Sequence, residues 1–347
     1  MSTVNIGVIG TGGISHAHFR SYQQLPDVNV AAVADIVPER AQAAAERWGV
    51  PKWFTDYRDL LALPDLDAVV VCTYNQAHRE PVVAALEAGK HVFVEKPLAA
   101  TLDDAAAMVR TAKRTGKILQ TGFWPRFSHE LLTAREMVRS GALGDIYYAQ
   151  TIGGGRRRIP GGSFLKRSMA GSGTIADIGC YDLDRFLFVT DHPMPTHVSA
   201  IVSDKLAKVL PNVPGDWGHR PEEVEVEDFG AALVRFAPGF VLHFVSYWAA
   251  HAETLGPSLI LGTKGGLQFG PLTLYRDEFG VMTNVQPQHL PNRDCFLEQA
   301  RAFVNAVKSG GPSPVDPMGV LLINVIIDGI YRSAAEGREV EVTIPEI

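Results

Sequence analysis

The chain has few of the residues that mark several functional classes. Its 347 residues include three cysteines, which lie too far apart for a disulfide framework or for C-x-x-C metal spacing. Basic residues are not in excess, because 32 Lys and Arg stand against 38 Asp and Glu and the net charge is −6. This balance argues against a nucleic-acid-binding surface. The apolar runs are short, so we expect no membrane-spanning segment of about 20 residues.

The composition is otherwise that of a folded protein with two domains. Hydrophobic residues make up 46% of the chain and charged residues 20%, and the length exceeds that of one typical domain. Residues 1–123 alternate strand and helix patterns, which predicts an α/β, doubly wound parallel sheet of six strands. Residues 124–347 contain successive strand patterns, which predicts an α+β domain with a mostly antiparallel sheet. The first strand pattern follows Met1 closely, so we expect no signal peptide and a cytoplasmic location.

A glycine turn near the N-terminus is the most informative pattern. A short apolar strand leads into Gly10-Thr11-Gly12-Gly13-Ile14 and then into a helix pattern. In such a turn Gly10 permits the tight bend, and Gly12 lets the backbone approach a pyrophosphate at the helix N-terminus. The third glycine position of the motif is Ser15, a small residue. The sequence therefore predicts a dinucleotide site, with an ordinary βα turn as the alternative.

An acid at the expected distance indicates which dinucleotide binds. Asp35 closes the second apolar run, where a carboxylate accepts hydrogen bonds from the adenosine ribose hydroxyls. Its charge would repel a 2′-phosphate, and Ile36 offers no group that could hold one. Arg40 is the one nearby cation that could soften this preference. We therefore predict NAD as the cofactor and NADP as disfavoured.

A second pattern, Glu95-Lys96-Pro97, ends the strand pattern His91–Glu95. Ligands of open α/β sheets bind beyond the carboxyl ends of the strands, so Lys96 is predicted to face the cofactor crevice. A lysine beside a substrate hydroxyl can take part in proton transfer. The alternative is a solvated lysine at a strand end.

A third pattern joins Asp177, Tyr181 and Asp184, which are four and three residues apart. In a helix these residues share one face. A carboxylate and a phenol on that face could position a sugar hydroxyl and exchange its proton. Alternatively, Asp177 caps the helix and Tyr181 packs with its hydroxyl satisfied.

Together these motifs resemble the Gfo/Idh/MocA family (glucose–fructose oxidoreductase, inositol dehydrogenase, rhizopine catabolism) over nearly the whole chain. The resemblance implies an N-terminal Rossmann domain for NAD and a C-terminal domain that binds substrate on a large open sheet, which is often used for oligomerisation. It also implies reversible NAD(P)-linked oxidation of a sugar or polyol. We therefore expect a small-molecule sugar or polyol substrate and a homodimer or homotetramer.

The resemblance also assigns roles to single residues. Lys96 matches the catalytic lysine and Asp177 the acid that positions substrate. Glu95 matches the contact to the nicotinamide ribose. The nicotinamide side of the pocket corresponds to Thr73, Tyr74, Asn75 and His78.

One position departs from many members of the family, which carry His where this chain has Tyr181. Members with Tyr at this position also exist. A phenol is a much weaker acid than an imidazolium, so Tyr181 would need the Lys96 cation to stabilise its phenolate. We therefore predict a Lys96–Tyr181 acid–base pair.

Other residues have weaker patterns. Arg156, in the run Arg156-Arg157-Arg158, is predicted to reach the substrate or to lie in a solvated loop. Aromatic side chains could stack on a sugar ring or belong to the core: Phe123, Trp124, Phe164 and Trp248. His16-Ala-His18 is not a metal pair, because residues two apart do not share a helix face, and we expect a structural role for His18. We predict no metal site.

Two alternative functions are left open by the sequence. The first is an NAD-dependent glycosidase that oxidises its substrate transiently. The second is a non-enzymatic regulator that binds the dinucleotide and a partner protein. The intact Glu95-Lys96-Pro97 and Asp177 count against the regulator.

Overall fold

The computed structural model describes residues 3–213, 217–237 and 239–347. The chain divides into two compact units. The first unit comprises Met1–Trp124, Asp294–Leu321 and Pro345–Ile347, and the second comprises Pro125–Arg293 and Leu322–Ile344.

The first part of the chain alternates strands and helices as predicted. Its elements are β1 Val4–Ile9, α1 Ser15–Tyr22, β2 Val28–Ala34, α2 Pro38–Trp48, β3 Trp53–Phe54, α3 Tyr57–Leu61, β4 Ala68–Val71, α4 Arg79–Glu87, β5 His91–Val94, α5 Leu102–Thr115 and β6 Leu119–Thr121. They form one sheet in the order β3-β2-β1-β4-β5-β6, in which all neighbouring strands are parallel. The doubly wound sheet is therefore confirmed. Strand β3 has only two residues and no apolar run of its own.

The rest of the chain contains a larger sheet and further helices. Its elements are α6 His129–Arg139, β7 Ile146–Gly153, α7 Arg167–Ala170, α8 Thr174–Asp177, α9 Gly179–Val189, β8 Pro195–Ser203, β9 Phe229–Phe236, β10 Val241–Tyr247, β11 Leu259–Gly262, β12 Gly265–Gln268, β13 Thr273–Glu278, β14 Val281–Val285, α10 Cys295–Ser309, α11 Pro317–Glu336 and β15 Val340–Glu341. The order is β14-β13-β12-β11-β7-β10-β9-β8-β15. Among these pairs β7 and β10 are parallel and the others are antiparallel, which confirms the mostly antiparallel sheet.

Helix α10 follows strands β7 to β14 of the larger sheet in sequence, but it belongs to the first unit. Ala300, Phe303 and Val304 pack in one core with Val8 and Phe19. Residues 294–321 and 345–347 thus depart from the predicted division at residue 123. Periodicity shows that a helix has an apolar face, but not which sheet that face covers.

Helix α11 corrects the expectation that no apolar segment reaches the length of a membrane span. By length and composition alone, its 20 residues are apolar enough to cross a membrane. Inside the protein, 67% of its most apolar 18-residue window is buried, as in a core helix. In the sequence Asn324 and Asp328 interrupt the apolar run, so each uninterrupted apolar stretch is shorter than the helix.

A buried carboxylate lies where α9 packs on β7. A Cβ at Gly153 would lie 1.6 Å from Oδ2 of Asp182, so only glycine leaves room for this side chain. Oδ1 pairs with Arg185 at 3.2 Å, whereas Oδ2 has no hydrogen-bond partner in the described part of the chain. Burial raises the pKa of Asp182 to about 6.

Asp182→Asn is therefore expected to stabilise the second unit at pH 8. A folded-state pKa above the unfolded value favours the protonated form, so the ionised carboxylate is unfavourable above pH 6. We expect a gain of about 2–3 kcal/mol at pH 8 that fades as the pH falls towards 4. Urea unfolding at both pH values measures this difference. Asp191→Asn is the control, and it should instead lower the free energy of unfolding at pH 8. The reason is that Arg139 and Arg135 lower the pKa of Asp191 to about 2. A gain at pH 8 that persists undiminished at pH 4 would contradict the assignment.

Candidate active site

The predicted site residues divide between the two units. The glycine turn, Asp35, the segment Thr73–His78, Lys96 and Trp124 lie in the first unit. The second contains the other predicted substrate residues: Arg156, Phe164, Asp177 and Tyr181. Among the described residues, no three or more His, Cys, Asp or Glu side chains are grouped so as to hold a metal ion.

The glycine turn connects β1 to α1. Gly10 has a φ of +87°, and a Cβ there would lie 2.8 Å from the Cys72 carbonyl group. A Cβ at Gly12 or Gly13 would meet no atom within 4 Å, so the backbone of the turn is open to an approaching ligand. The Ser15 hydroxyl donates to the Gly12 carbonyl oxygen at 2.7 Å. This turn, followed by a helix N-terminus, fits the pyrophosphate of a dinucleotide.

Asp35 is fixed at the end of β2 by the same turn. Its Oδ2 accepts from the backbone N–H and the hydroxyl of Thr11 at 2.8 and 2.9 Å. Its Oδ1 accepts from the backbone N–H of Val37 at 3.0 Å. Ile36 is 79% exposed beside it, and Arg40 is also exposed. The sequence placed Thr11 in the turn but did not reveal that it orients the acid.

The segment after β4 meets the segment after β5 at His78. The ring of His78 is fully buried, with Nδ1 at 3.1 Å from the Pro97 carbonyl oxygen and Nε2 at 3.1 Å from that of Thr73. Burial lowers the pKa of His78. In the same segment Tyr74 is exposed and Asn75 is partly buried. The His78 ring thus lies between two site segments of the first unit and can donate its N–H to either.

Lys96 is the second residue after β5, next to Glu95, and is partly buried. The backbone N–H of Lys96 donates to Oε2 of Glu95 at 3.1 Å. Glu95 is 5% exposed, and its Oε1 lies 2.6 Å from Nε2 of His18. Both carboxylate oxygens of Glu95 therefore have partners inside the first unit.

Trp124 follows β6 and stacks on Phe296, with ring centroids 5.7 Å apart and an interplanar angle of 22°. Its side chain is partly buried. Phe123 is fully buried, so it belongs to the core and not to a sugar platform.

In the second unit the predicted single helix is two helices. Helix α8 ends at Asp177, α9 begins at Gly179, and Tyr181 lies in the first turn of α9. Asp177 and Tyr181 are partly buried. Asp184 is fully buried and accepts from Nη2 of Arg126 at 2.6 Å. Asp184 thus follows Tyr181 in the same helix and belongs to a buried ion pair, whereas Asp177 lies before the break at Ile178.

Trp248 orients Asp177. The indole N–H of Trp248 donates to Oδ2 of Asp177 at 3.0 Å, and the ring is fully buried. The expectation that Trp248 could stack on a sugar is thereby corrected. A satellite core that includes Ile159 and Leu165 surrounds the ring.

Glu227 fixes the start of the helix that carries Asp177. Its Oε1 accepts from the backbone N–H of Gly173 at 2.8 Å, from that of Ile175 at 3.2 Å and from the Tyr331 hydroxyl at 2.7 Å. A helix N-terminus has unsatisfied N–H groups, and this carboxylate satisfies two of them. The signal in the sequence is only indirect: Gly173 before α8 has no side chain with which to cap the helix.

The residues of the basic run Arg156-Arg157-Arg158 form an ion pair and hydrogen bonds within the second unit. Arg156 pairs with Glu253 at 2.5 Å, and the Arg157 side chain donates to the Pro211 carbonyl oxygen. The backbone N–H of Arg158 donates to the Trp248 carbonyl oxygen at 2.7 Å. Phe164, which was also predicted to contact the substrate, is 44% exposed. Its ring therefore offers apolar surface, whereas Arg156 is charged.

Comparison with known proteins agrees with this architecture. Residues 4–123 match the GFO/IDH/MocA model described as an oxidoreductase family with an NAD-binding Rossmann fold. Residues 131–268 match the GFO/IDH/MocA C-terminal domain. Together these matches cover more than half of the chain.

Similar proteins match over nearly their full length. The chain is 30% identical to D-glucoside 3-dehydrogenase of Escherichia coli K12, over 98% of both chains. It is 27% identical to myo-inositol 2-dehydrogenase of Thermotoga maritima, over 90% of both. A structure of levoglucosan dehydrogenase in complex with NADH and levoglucosan is 25% identical, with a TM-score of 0.84 over 99% of this chain and 100% of that one. The chain therefore belongs to the Gfo/Idh/MocA family of NAD-binding oxidoreductases.

Proposed function

We propose that the protein is a dehydrogenase that transfers a hydride between a CH–OH group of a sugar or polyol and NAD. The observation that carries this proposal is the placement of Lys96. It follows β5 at the carboxyl edge of the parallel sheet, the same edge at which the Gly10 turn and Asp35 follow β1 and β2. The full-length relatives named above support the substrate class, since their names describe glucoside and inositol dehydrogenases.

The residues present fit NAD. The open backbone of Gly12 and Gly13 would receive the pyrophosphate, and Asp35 would hold the adenosine ribose. The segment Thr73–His78 would lie beside the nicotinamide. The bound nicotinamide supplies the hydride chemistry, and the protein supplies position and proton transfer.

The protein's own side chains manage the substrate hydroxyls. We propose that Lys96 and Tyr181 act as a pair on the hydroxyl that is oxidised: the Tyr181 phenolate accepts its proton, and the Lys96 cation stabilises the phenolate. Asp177, oriented by the indole of Trp248, would accept a hydrogen bond from a neighbouring hydroxyl. Phe164 and Trp124 would contribute apolar contacts to the sugar.

Trp248→Phe is expected to lower kcat/KM for the sugar about tenfold, mainly by raising KM. The ring is retained, but a hydrogen bond to a carboxylate is lost, which costs about 1.5–3 kcal/mol. Steady-state kinetics with saturating NAD measure the effect. Trp53→Phe is the matched control, because Trp53 is 43% exposed on β3 and should leave kcat/KM unchanged. An unaltered KM in Trp248→Phe would refute the proposed role of the indole.

A panel of aldoses, polyols and glucosides with NAD tests the proposed function. We expect at least one substrate to produce NADH and the corresponding keto sugar in equal amounts. Cleavage of a glycoside without net NADH would instead indicate a glycosidase with transient oxidation. Binding of NAD with no turnover of any sugar would indicate a non-enzymatic regulator.

We further propose a homodimer or homotetramer that works in the cytoplasm, without nucleic-acid or membrane partners. Exposed apolar side chains on the larger sheet support the oligomer: Ile201 on β8 is 65% exposed and Leu233 on β9 is 46% exposed. The net charge of −6 supports the absence of a nucleic-acid partner. Light scattering after size-exclusion chromatography should give two or four times the 37.7 kDa chain mass, and a monomer would contradict this proposal.

A further inference from the structure

A buried contact joins α1 to the end of β5. Nε2 of His18 lies 2.6 Å from Oε1 of Glu95, and the two side chains are 1% and 7% exposed. An ionised carboxylate can only accept, so the imidazole N–H is the donor in this contact.

The surroundings of the pair are apolar and closely fitted. The His18 ring meets Phe93 edge to face at a centroid distance of 4.9 Å, and it also contacts the rings of Tyr22 and Phe296. A Cβ at Gly122 would lie 3.0 Å from Oε1 of Glu95, so glycine leaves room for the carboxylate. In such a site the carboxylate is costly without a partner, and the contact to His18 offsets that cost.

The second carboxylate oxygen connects the pair to the proposed catalytic residue. Oε2 of Glu95 accepts the backbone N–H of Lys96 at 3.1 Å. A single rigid group therefore links His18 on α1 to the Lys96 backbone. Nδ1 of His78 lies 3.1 Å from the carbonyl oxygen of the following residue, Pro97.

We propose that His18 is a positioning residue for Lys96, acting through Glu95. The imidazole fixes the carboxylate, and the carboxylate fixes the backbone from which the Lys96 side chain extends. This inference rests on the proposed function, because it gives His18 a role in turnover. Loss of His18 leaves a buried carboxylate that must turn or draw in water, which releases the Lys96 amide.

Three variants test this role. His18→Leu removes the donor, and His18→Gln retains an N–H donor of similar reach. His16→Gln is the control on the same helix, because Nδ1 of His16 accepts from the Trp48 indole and does not contact Glu95.

The first readout needs neither cofactor nor substrate. Hydrogen–deuterium exchange of the peptide that contains Lys96 should be about tenfold faster in His18→Leu, as expected when an amide loses a hydrogen bond to a charged group. His18→Gln should exchange within about threefold of the wild type, and His16→Gln should match it.

The second readout is kinetic. In His18→Leu, kcat should fall about 10- to 100-fold, the range for misplacement of an acid–base group, while the Kd for NAD changes less than about threefold. His18→Gln should recover most of the lost turnover. Unchanged exchange and unchanged kcat in His18→Leu would overturn the inference, as would an equal loss of NAD affinity and turnover, which indicates general disruption of the first unit.

If His18→Leu does not fold, His18→Phe, which keeps an aromatic ring but has no N–H donor, takes its place with the same two readouts. Faster exchange at Lys96 with a preserved Kd for NAD supports the inference, and unchanged exchange overturns it. A wild type that oxidises no sugar would refute the proposed function, whereas the exchange result would still decide whether His18 and Glu95 hold Lys96.

Discussion

Lys96→Met is expected to lower kcat by about a hundredfold or more while NAD still binds. Methionine has a similar length but carries no charge and exchanges no proton, and acid–base groups contribute roughly 100- to 10,000-fold. The backbone N–H of Lys96, which donates to Glu95, is retained in the variant. Stopped-flow or steady-state assays at saturating sugar and NAD give kcat, and calorimetry gives the Kd for NAD.

The control for this experiment is Lys52→Met, which removes an exposed lysine elsewhere in the first unit. We expect its kcat and NAD affinity to equal those of the wild type. Turnover of Lys96→Met near the wild-type level would remove Lys96 from the mechanism. Loss of NAD binding in that variant would instead make the lysine a cofactor-binding residue.

Asp35→Ser is expected to reduce the preference for NAD over NADP by about 100-fold. The substitution removes a negative charge that repels a 2′-phosphate and hydrogen bonds that a carboxylate offers to ribose hydroxyls. Hydrogen bonds to charged groups are worth about 1.5–3 kcal/mol, or roughly 10- to 150-fold. The ratio of kcat/KM with NAD to kcat/KM with NADP measures the change.

Thr11→Val tests how far the orientation of the Asp35 carboxylate contributes to this preference. It removes the hydroxyl that donates to Oδ2 of Asp35 at 2.9 Å but keeps the backbone N–H donor at 2.8 Å. The preference should therefore shift in the same direction by about tenfold or less. An unchanged preference in Asp35→Ser would show that another group selects the cofactor.

Features that depend on one residue and its neighbours could be predicted from the sequence. The bend at Gly10 needs a positive φ and a missing Cβ, and both are properties of one residue and its neighbours. The strand pattern His91–Glu95, a largely apolar run, was predicted within one residue of the observed bounds of β5. Strand β12 contains two glycines and β14 is largely exposed, so neither has the apolar alternation that identifies a half-buried strand.

Contacts between residues that are far apart in the sequence could not be predicted. The partners of Asp177 and Glu95 are Trp248 and His18, which are 71 and 77 residues away, and no spacing rule links them. The expected face of Asp177, Tyr181 and Asp184 depended on one continuous helix, but the helix breaks at Ile178, which lies between Asp177 and Tyr181. Asp184 is in addition held in a buried ion pair with Arg126. Helical spacing gives a face only while the helix continues.

The most stringent test of the proposed activity is to follow the transfer of hydrogen from the sugar to the cofactor. A sugar that supports NADH formation would be labelled with deuterium at the carbon that is oxidised, and the NADH formed would be analysed by mass spectrometry. The account predicts one deuterium in each NADH, with a keto sugar formed in equal amount. NADH without deuterium, or a cleaved glycoside with no NADH, would contradict the assignment of this protein as a sugar or polyol dehydrogenase.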